Sequence, residues 1–265
     1  MSSKKSNTKR TPELTVWIRA GGREVKSKIT SFVLTLLKSV PVSIPFQVLI
    51  CTNENDPIQG ELDGLMRMDP RIQVIYSQLS SCHAALTSLS RHTFPESKVL
   101  TLSVGIQLSS QQIQRGFDHV TDAVRVYGWK VGDYGNDGKI PGKGWYHTAA
   151  ILDPTIVKII KDELPIWIDN NQLGAVGNYT LGGNEEIPIM VLALQKDKNS
   201  QFILNVSDPV SSTIQLGTGI TYAEKLERKV HVSKIYLEKM HKELHVTSDL
   251  KYWTESEIWG ALKLI

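Results

Sequence analysis

Along the first half of the chain, short apolar runs alternate with apolar residues at helical spacing. LTVWI (14–18) has the length of a strand. Val25, Ile29, Phe32, Val33, Leu36 and Val40 then recur at three- and four-residue steps, predicting one amphipathic helix that Pro41 and Pro45 end. FQVLICT (46–52) is a second strand, and Ile58, Leu62 and Leu65 mark a second helix. RIQVIY (71–76) is a third strand, followed by a helix over 80–91 with Ala85, Leu86 and Leu89 inward. KVLTLSVGI (98–106) is a fourth strand, and Ile113, Phe117, Val120 and Val124 mark the next helix.

These strands are apolar on both faces. That pattern belongs to a parallel sheet covered by helices on both sides, so the fold class is α/β. Ligands of such sheets bind beyond the carboxyl ends of the strands. The functional edge is therefore expected at the loops RAGGRE (19–24), TNENDP (52–57) and SVGIQLS (103–109).

Farther on, AVRVYGWKV (123–131) reads as a strand. GDYGNDGKIPGKG (132–144), with five glycines and a proline, reads as a loop. WYHTAAIL (145–152) is another strand, and Asp153-Pro154-Thr155 opens a helix running to about Glu163. LGAVGNYTLGGN (173–184) is a second glycine-rich loop. It feeds a helix over 185–196 whose first residues are carboxylates, where the helix dipole favours them. Leu226, Val230, Leu237, Met240 and Leu244 sit at helical spacing, and Thr254-Glu255-Ser256-Glu257 matches a capping box before Ile258, Trp259 and Leu262. The expected organisation is a basic tail over 1–12, one α/β domain over 13–219 and a helical extension over 220–265.

Charge changes this picture at one end. Lys4, Lys5, Lys9 and Arg10 carry +4 of a net +3, leaving −1 for the rest. A basic tail on a near-neutral body is an ordinary solvated segment and also the footprint of an anionic partner such as nucleic acid. No apolar run reaches the ~18–20 residues that span a bilayer. The polar start is not a signal peptide, so a cytoplasmic protein is expected. Cys51 and Cys82 sit in or beside apolar elements and read as buried thiols, with no zinc spacing. The NYT and NVS triplets (178–180, 205–207) are chance matches to a glycosylation pattern under that expectation.

Five pieces stand in a particular order. They are the helix after LTVWIRAGGRE, the polar turn of VLICTNENDP, the helix SSCHAALTSLS, the strand VLTLSVGI and the helix of GGNEEIPIMVLALQK. This order resembles the sugar-nucleotide-binding half of GT-A glycosyltransferases, most closely the family-2 type, over roughly residues 13–200. The resemblance implies transfer of a sugar from a nucleoside-diphosphate sugar to a hydroxyl acceptor, with inversion by direct displacement. It implies nucleoside contacts at Asn53 and Asp56, residue types that also form turns after strands. It implies a catalytic base at Glu186, with Glu185 beside it, because one carboxylate must take the acceptor's proton.

The strand VLTLSVGI falls where that family carries an Asp-x-Asp motif for a divalent metal, yet Ser103 and Gly105 occupy the aspartate positions. Neither offers the anionic oxygen that hard cations prefer. Two readings follow. Either the enzyme is metal-independent, with Arg19, Arg23, Lys139 and Lys143 near that edge neutralising the diphosphate, or the domain has lost catalysis and binds a sugar nucleotide or a partner. A third reading makes a modified nucleic-acid base the acceptor. Trp145, Tyr146 and His147 follow the glycine-rich loop and read either as stacking groups for a sugar or base or as core residues beside a strand. Asp133 and Asp137 are loop carboxylates able to substitute as metal ligands. His241 and His245, four apart in HKELH, lack the glutamate of a zinc helix and read as a solvated pair.

Overall fold

A computed structural model describes residues 11–21, 23–77, 82–131, 149–165, 175–176, 179–180, 186–210 and 261–265. The alternation seen in the sequence folds as an eight-stranded mixed sheet with helices on both faces. The strands are β1 (Leu14–Arg19), β2 (Phe46–Thr52), β3 (Ile72–Tyr76), β4 (Lys98–Ser103), β5 (Val124–Val131) and β6 (Ala149–Leu152). A two-residue pair follows, β7 (Ala175–Val176) and β8 (Tyr179–Thr180), then β9 (Gln201–Val210) and β10 (Leu262–Leu264). The sheet order is β10-β9-β5-β6-β4-β1-β2-β3. Among the described strands of this sheet, only β6 runs antiparallel to its neighbours.

The helices are α1 (Arg23–Lys26), α2 (Ile29–Ser39), α3 (Gln59–Met68), α4 (Cys82–Arg91), α5 (Ser110–His119), α6 (Pro154–Asp162) and α7 (Glu186–Lys196). Successive strand residues point to opposite faces, and the core divides accordingly. Val16, Ile18, Val48 and Ile50 pack with α2, α3 and α5. Trp17, Leu49 and Val99 pack with α4, α6 and α7.

Several expectations are corrected. The helix expected from Val25 to Val40 is two, with a turn in which Lys28 N–H bonds Val25 O at 2.9 Å. The fourth strand stops at Ser103 rather than Ile106, because Ile106 N–H folds back onto Ser103 O at 3.1 Å. Val124 belongs to β5, not to the preceding helix. The loop over 173–184 contains the β7–β8 pair, Ala175 opposite Thr180. Strand β9 was not anticipated. Of the expected helical extension over 220–265, 220–260 lies outside the described residues. Its end is a strand: Leu262, expected on a helix with Ile258 and Trp259, pairs with Phe202 at the sheet margin.

The N-terminus of α6 forms as predicted. Asp153 caps it, accepting Ile156 N–H at 2.9 Å. Arg125 binds Asp153 at 2.7 Å and Asp197 at 3.4 Å, tying the start of β5 to the N-cap of α6 and the residue after α7. No described helix is long and apolar enough to cross a membrane.

Candidate functional site

The carboxyl ends of β3, β2, β1 and β4 lie along one edge of the sheet, at Tyr76, Thr52, Arg19 and Ser103. Strand β6 starts opposite Leu102 and β5 ends beside it, so both meet the same edge. The loops after β1, β2 and β4 singled out from the strand pattern leave this edge.

Arg19 stands at its centre. Its register partners are Cys51 on one side and Ser103 on the other. Its side chain alternates away from the fully buried Ile18 and is exposed. Among the described residues no carboxylate forms an ion pair with it. The cation is felt next door: burial pushes the Cys51 thiol up to about 11, and Arg19 pulls against that rise. Cys51 is wholly buried and, so protonated, is no nucleophile at neutral pH.

Loop TNENDP leaves β2 through a tight turn in which Asp56 N–H bonds Asn53 O at 3.3 Å. Its third residue, Asn55, has φ 61°, a left-handed conformation that asparagine tolerates better than most residues. Asn53 is exposed at the turn's start. Asp56 Oδ1 accepts Ile58 N–H at 3.1 Å, an Asx turn leading into α3. Its Oδ2 faces the loop after β1: a Cβ placed on Gly21 would lie 3.1 Å from it. Asp56 therefore joins the two loops as well as facing the edge. Sequence reasoning missed Gly21, whose only signal was the Gly-Gly pair after the strand. Thr52, the last residue of β2, is fully buried with a hydroxyl that has no partner among the described residues.

The β4 loop makes a second turn of the same kind. Ser103 is half-buried at its first position. Gly105, at its third, has φ 96°, which glycine alone adopts freely. Val104, Ile106 and Leu108 are buried, so the segment is packed down to the start of α5. The chemistry here does not suit a divalent cation. Ser103 contributes a neutral hydroxyl and Gly105 no side chain. Among the described residues no group of three or more His, Cys, Asp or Glu is placed to hold a metal.

Helix α7 begins at Glu186 and ends with Asp197 bound to Arg125 near the start of β5. Eleven residues make it about 16 Å long. Because it feeds β9, which runs parallel to β5, its start is expected toward the carboxyl edge. Glu186 is placed by backbone only. Glu185, Lys143 and His147 lie outside the described residues, as do Asp133, Asp137, Lys139, Trp145, Tyr146, His241, His245 and the tail over 1–10. Arg23 opens α1. The structure thus brings Arg19, Asn53, Asp56, Ser103 and Gly105 to one edge.

No family model and no curated protein sequence matches the chain. Solved structures do. The mannosyltransferase PcManGT from Pyrobaculum calidifontis, in complex with GDP-Man and Mn2+, superposes with a TM-score of 0.57 at 11% identity, covering 87% of this chain and 64% of that one. This chain therefore spans less than two thirds of that protein's length. Glucosyl-3-phosphoglycerate synthase from Mycobacterium tuberculosis, in complex with Mn2+, UDP-Glc and phosphoglyceric acid, gives a TM-score of 0.55 at 7% identity, covering 85% and 79%. TarS 1-349 from S. aureus, in complex with UDP-GlcNAc, gives 0.51 at 11% identity, covering 91% and 68%. The architecture described above is a GT-A-like fold, a mostly parallel sheet flanked by helices.

Proposed function

With that fold as its frame, we propose that the chain is a glycosyltransferase. It moves a sugar from a nucleoside-diphosphate sugar to a hydroxyl acceptor by direct displacement with inversion, using cationic side chains rather than a divalent metal. The observation that carries this reading is Arg19, an exposed guanidinium at the centre of the carboxyl edge with no carboxylate paired to it among the described residues. An exposed arginine there presents donors for phosphate oxygens. It stands beside Ser103, whose hydroxyl is a further donor.

The nucleoside lies against Gly21 and the Asn53–Asp56 turn. Arg19, with Lys143 from the 132–148 segment, holds the diphosphate as charge builds on it. Gly105 leaves the backbone open to a close approach, and His147 stacks on the sugar or base. Glu186, with Glu185 beside it, takes the proton of the acceptor hydroxyl. That oxygen bonds to the anomeric carbon as the bond from this carbon to the diphosphate oxygen breaks, and the nucleoside diphosphate leaves with the electron pair.

The test is thermal stabilisation by UDP-, GDP-, CMP- and dTDP-sugars, each with EDTA and with Mn2+. A ligand of the folded state raises the melting temperature by mass action. One nucleotide is expected to give a shift that persists in EDTA. Arg19→Met should abolish that shift while leaving the free protein's melting temperature in place. Glu186→Gln should keep it and abolish transfer. A shift only with Mn2+ would overturn metal independence, and no shift with any donor would overturn the reading. The missing carboxylates at Ser103 and Gly105 favour one alternative, a catalytically silent sugar-nucleotide-binding module. Binding without turnover in the wild type would select it.

A further inference from the structure

We propose that Asp208 is a positioning residue for this site, holding the Ser103–Ile106 turn in place through the start of α5. The inference rests on the proposed function for its consequence, but the linkage itself is structural. Strands β5 and β9 pair in regular register from Val126 opposite Phe202 to Trp129 opposite Asn205, then slip so that Val131 faces Val210. The extra residues of β9 are fixed by Asn205, which is 2% exposed. Its Oδ1 accepts Ser207 N–H at 3.1 Å, the Ser207 hydroxyl at 2.9 Å and Asp208 N–H at 3.0 Å. Its Nδ2 donates to the buried Tyr127 hydroxyl at 2.7 Å. Asp208 is therefore presented from a rigid bulge.

Its carboxylate reaches across to α5. Oδ1 accepts Gln112 Nε2 at 3.0 Å and Oδ2 accepts Arg115 Nη1 at 3.2 Å. The arginine pair is exposed and contributes little. The glutamine bond matters more, because Gln112 is also half of the capping box. Its Oε1 accepts Ser109 N–H at 2.8 Å, and Ser109 Oγ accepts Gln112 N–H at 3.2 Å. One side chain thus joins the helix start to β9. From Ser109 back to Ser103 the chain is short and its apolar residues are buried, leaving no slack to absorb a shift.

The experiment compares Asp208→Ala with Asp208→Asn, which keeps an acceptor for Gln112. Amide hydrogen exchange is read at Ile106 and Gln112, with Leu49 in the distant part of the sheet as internal reference. Asp208→Ala should speed exchange at Ile106 and Gln112 by about tenfold without changing Leu49, and Asp208→Asn should restore most of the protection. Stabilisation by UDP-glucose, UDP-N-acetylglucosamine or GDP-mannose, whichever the wild type binds, should fall in the alanine variant and recover in the asparagine variant. Unchanged exchange at Ile106 in Asp208→Ala overturns the linkage. Faster exchange with undiminished nucleotide stabilisation overturns its role in the site. If the wild type binds none of these three probes, exchange at Ile106 alone decides the linkage, and the proposed function is judged separately by the full donor panel.

Discussion

Gly105 and Asn55 hold the same place in two neighbouring turns, each the third residue and each with positive φ. Asparagine pays a modest strain there and glycine pays none. A side chain at this third position of the β4 turn conflicts with φ 96°, which glycine alone adopts freely. Gly105→Asp is expected to lower stability by about 1–2 kcal/mol through the strained backbone, read from urea denaturation. A variant as stable as the parent would mean that the turn relaxes. Asp56 shows a related double use. Its turn-forming role was legible in the sequence, but its approach to Gly21 was not, because two loops separated by two helices and a strand meet only in the folded sheet.

At the scale of elements, α5 illustrates how closely helices are seated on the sheet. Gly116 faces Trp129, and a Cβ there would lie 2.6 Å from Cη2 and 2.8 Å from Cζ2 of the indole. Trp129 is fully buried and cannot withdraw. Gly116→Ala should therefore destabilise by about 1–3 kcal/mol despite better helix propensity. A calorimetric melting temperature at or above the parent's would refute that.

The Asp153–Arg125–Asp197 cluster ties α6 and α7 to β5. Burial pushes the Asp153 carboxyl above the ordinary carboxylate range, against the opposing pull of Ile156 N–H, Arg125 and Thr155. The folded state thus holds this proton more tightly than the unfolded chain does. The contribution to stability is fully present below the unfolded value, about 3.9, and is lost as pH rises through the raised folded value. Asp153→Asn keeps a helix cap and removes the titration. The stability of the wild type relative to Asp153→Asn should accordingly grow as pH falls from 7 toward about 4, measured by urea unfolding at each pH. The opposite trend would mean that the ion pair outweighs burial.

At the scale of the whole molecule, the sheet is completed from the far end of the chain. Ala261 O accepts Phe202 N–H, Ile265 N–H binds Leu204 O, and Ile265 O accepts Val206 and Ser207 N–H. Ending the chain at Gly260 removes these four bonds and leaves β9 as an open edge. At about 1 kcal/mol net per bond, a loss of about 2–4 kcal/mol is expected, with greater aggregation on warming because an uncovered edge templates pairing. Light scattering and a urea midpoint check both. An unchanged midpoint would mean that β10 adds no stability to β9.

How much could be read without coordinates follows from the range of each interaction. Local pattern was enough for β1 to β6, for most helix boundaries, for the cap at Asp153 and for the edge at which β1 to β4 end. These depend on side-chain periodicity and on groups a few residues apart. The sequence by itself also determined that Ser103 and Gly105 bring no carboxylate to that edge. Tertiary structure alone decided the reversal of β6, the pairing of β10 with β9, the central place of Arg19 between Cys51 and Ser103, and the reach of Asp208 to Gln112. Each of these joins residues distant along the chain, and their geometry is set when the two apolar faces of the sheet are buried together rather than by any local preference.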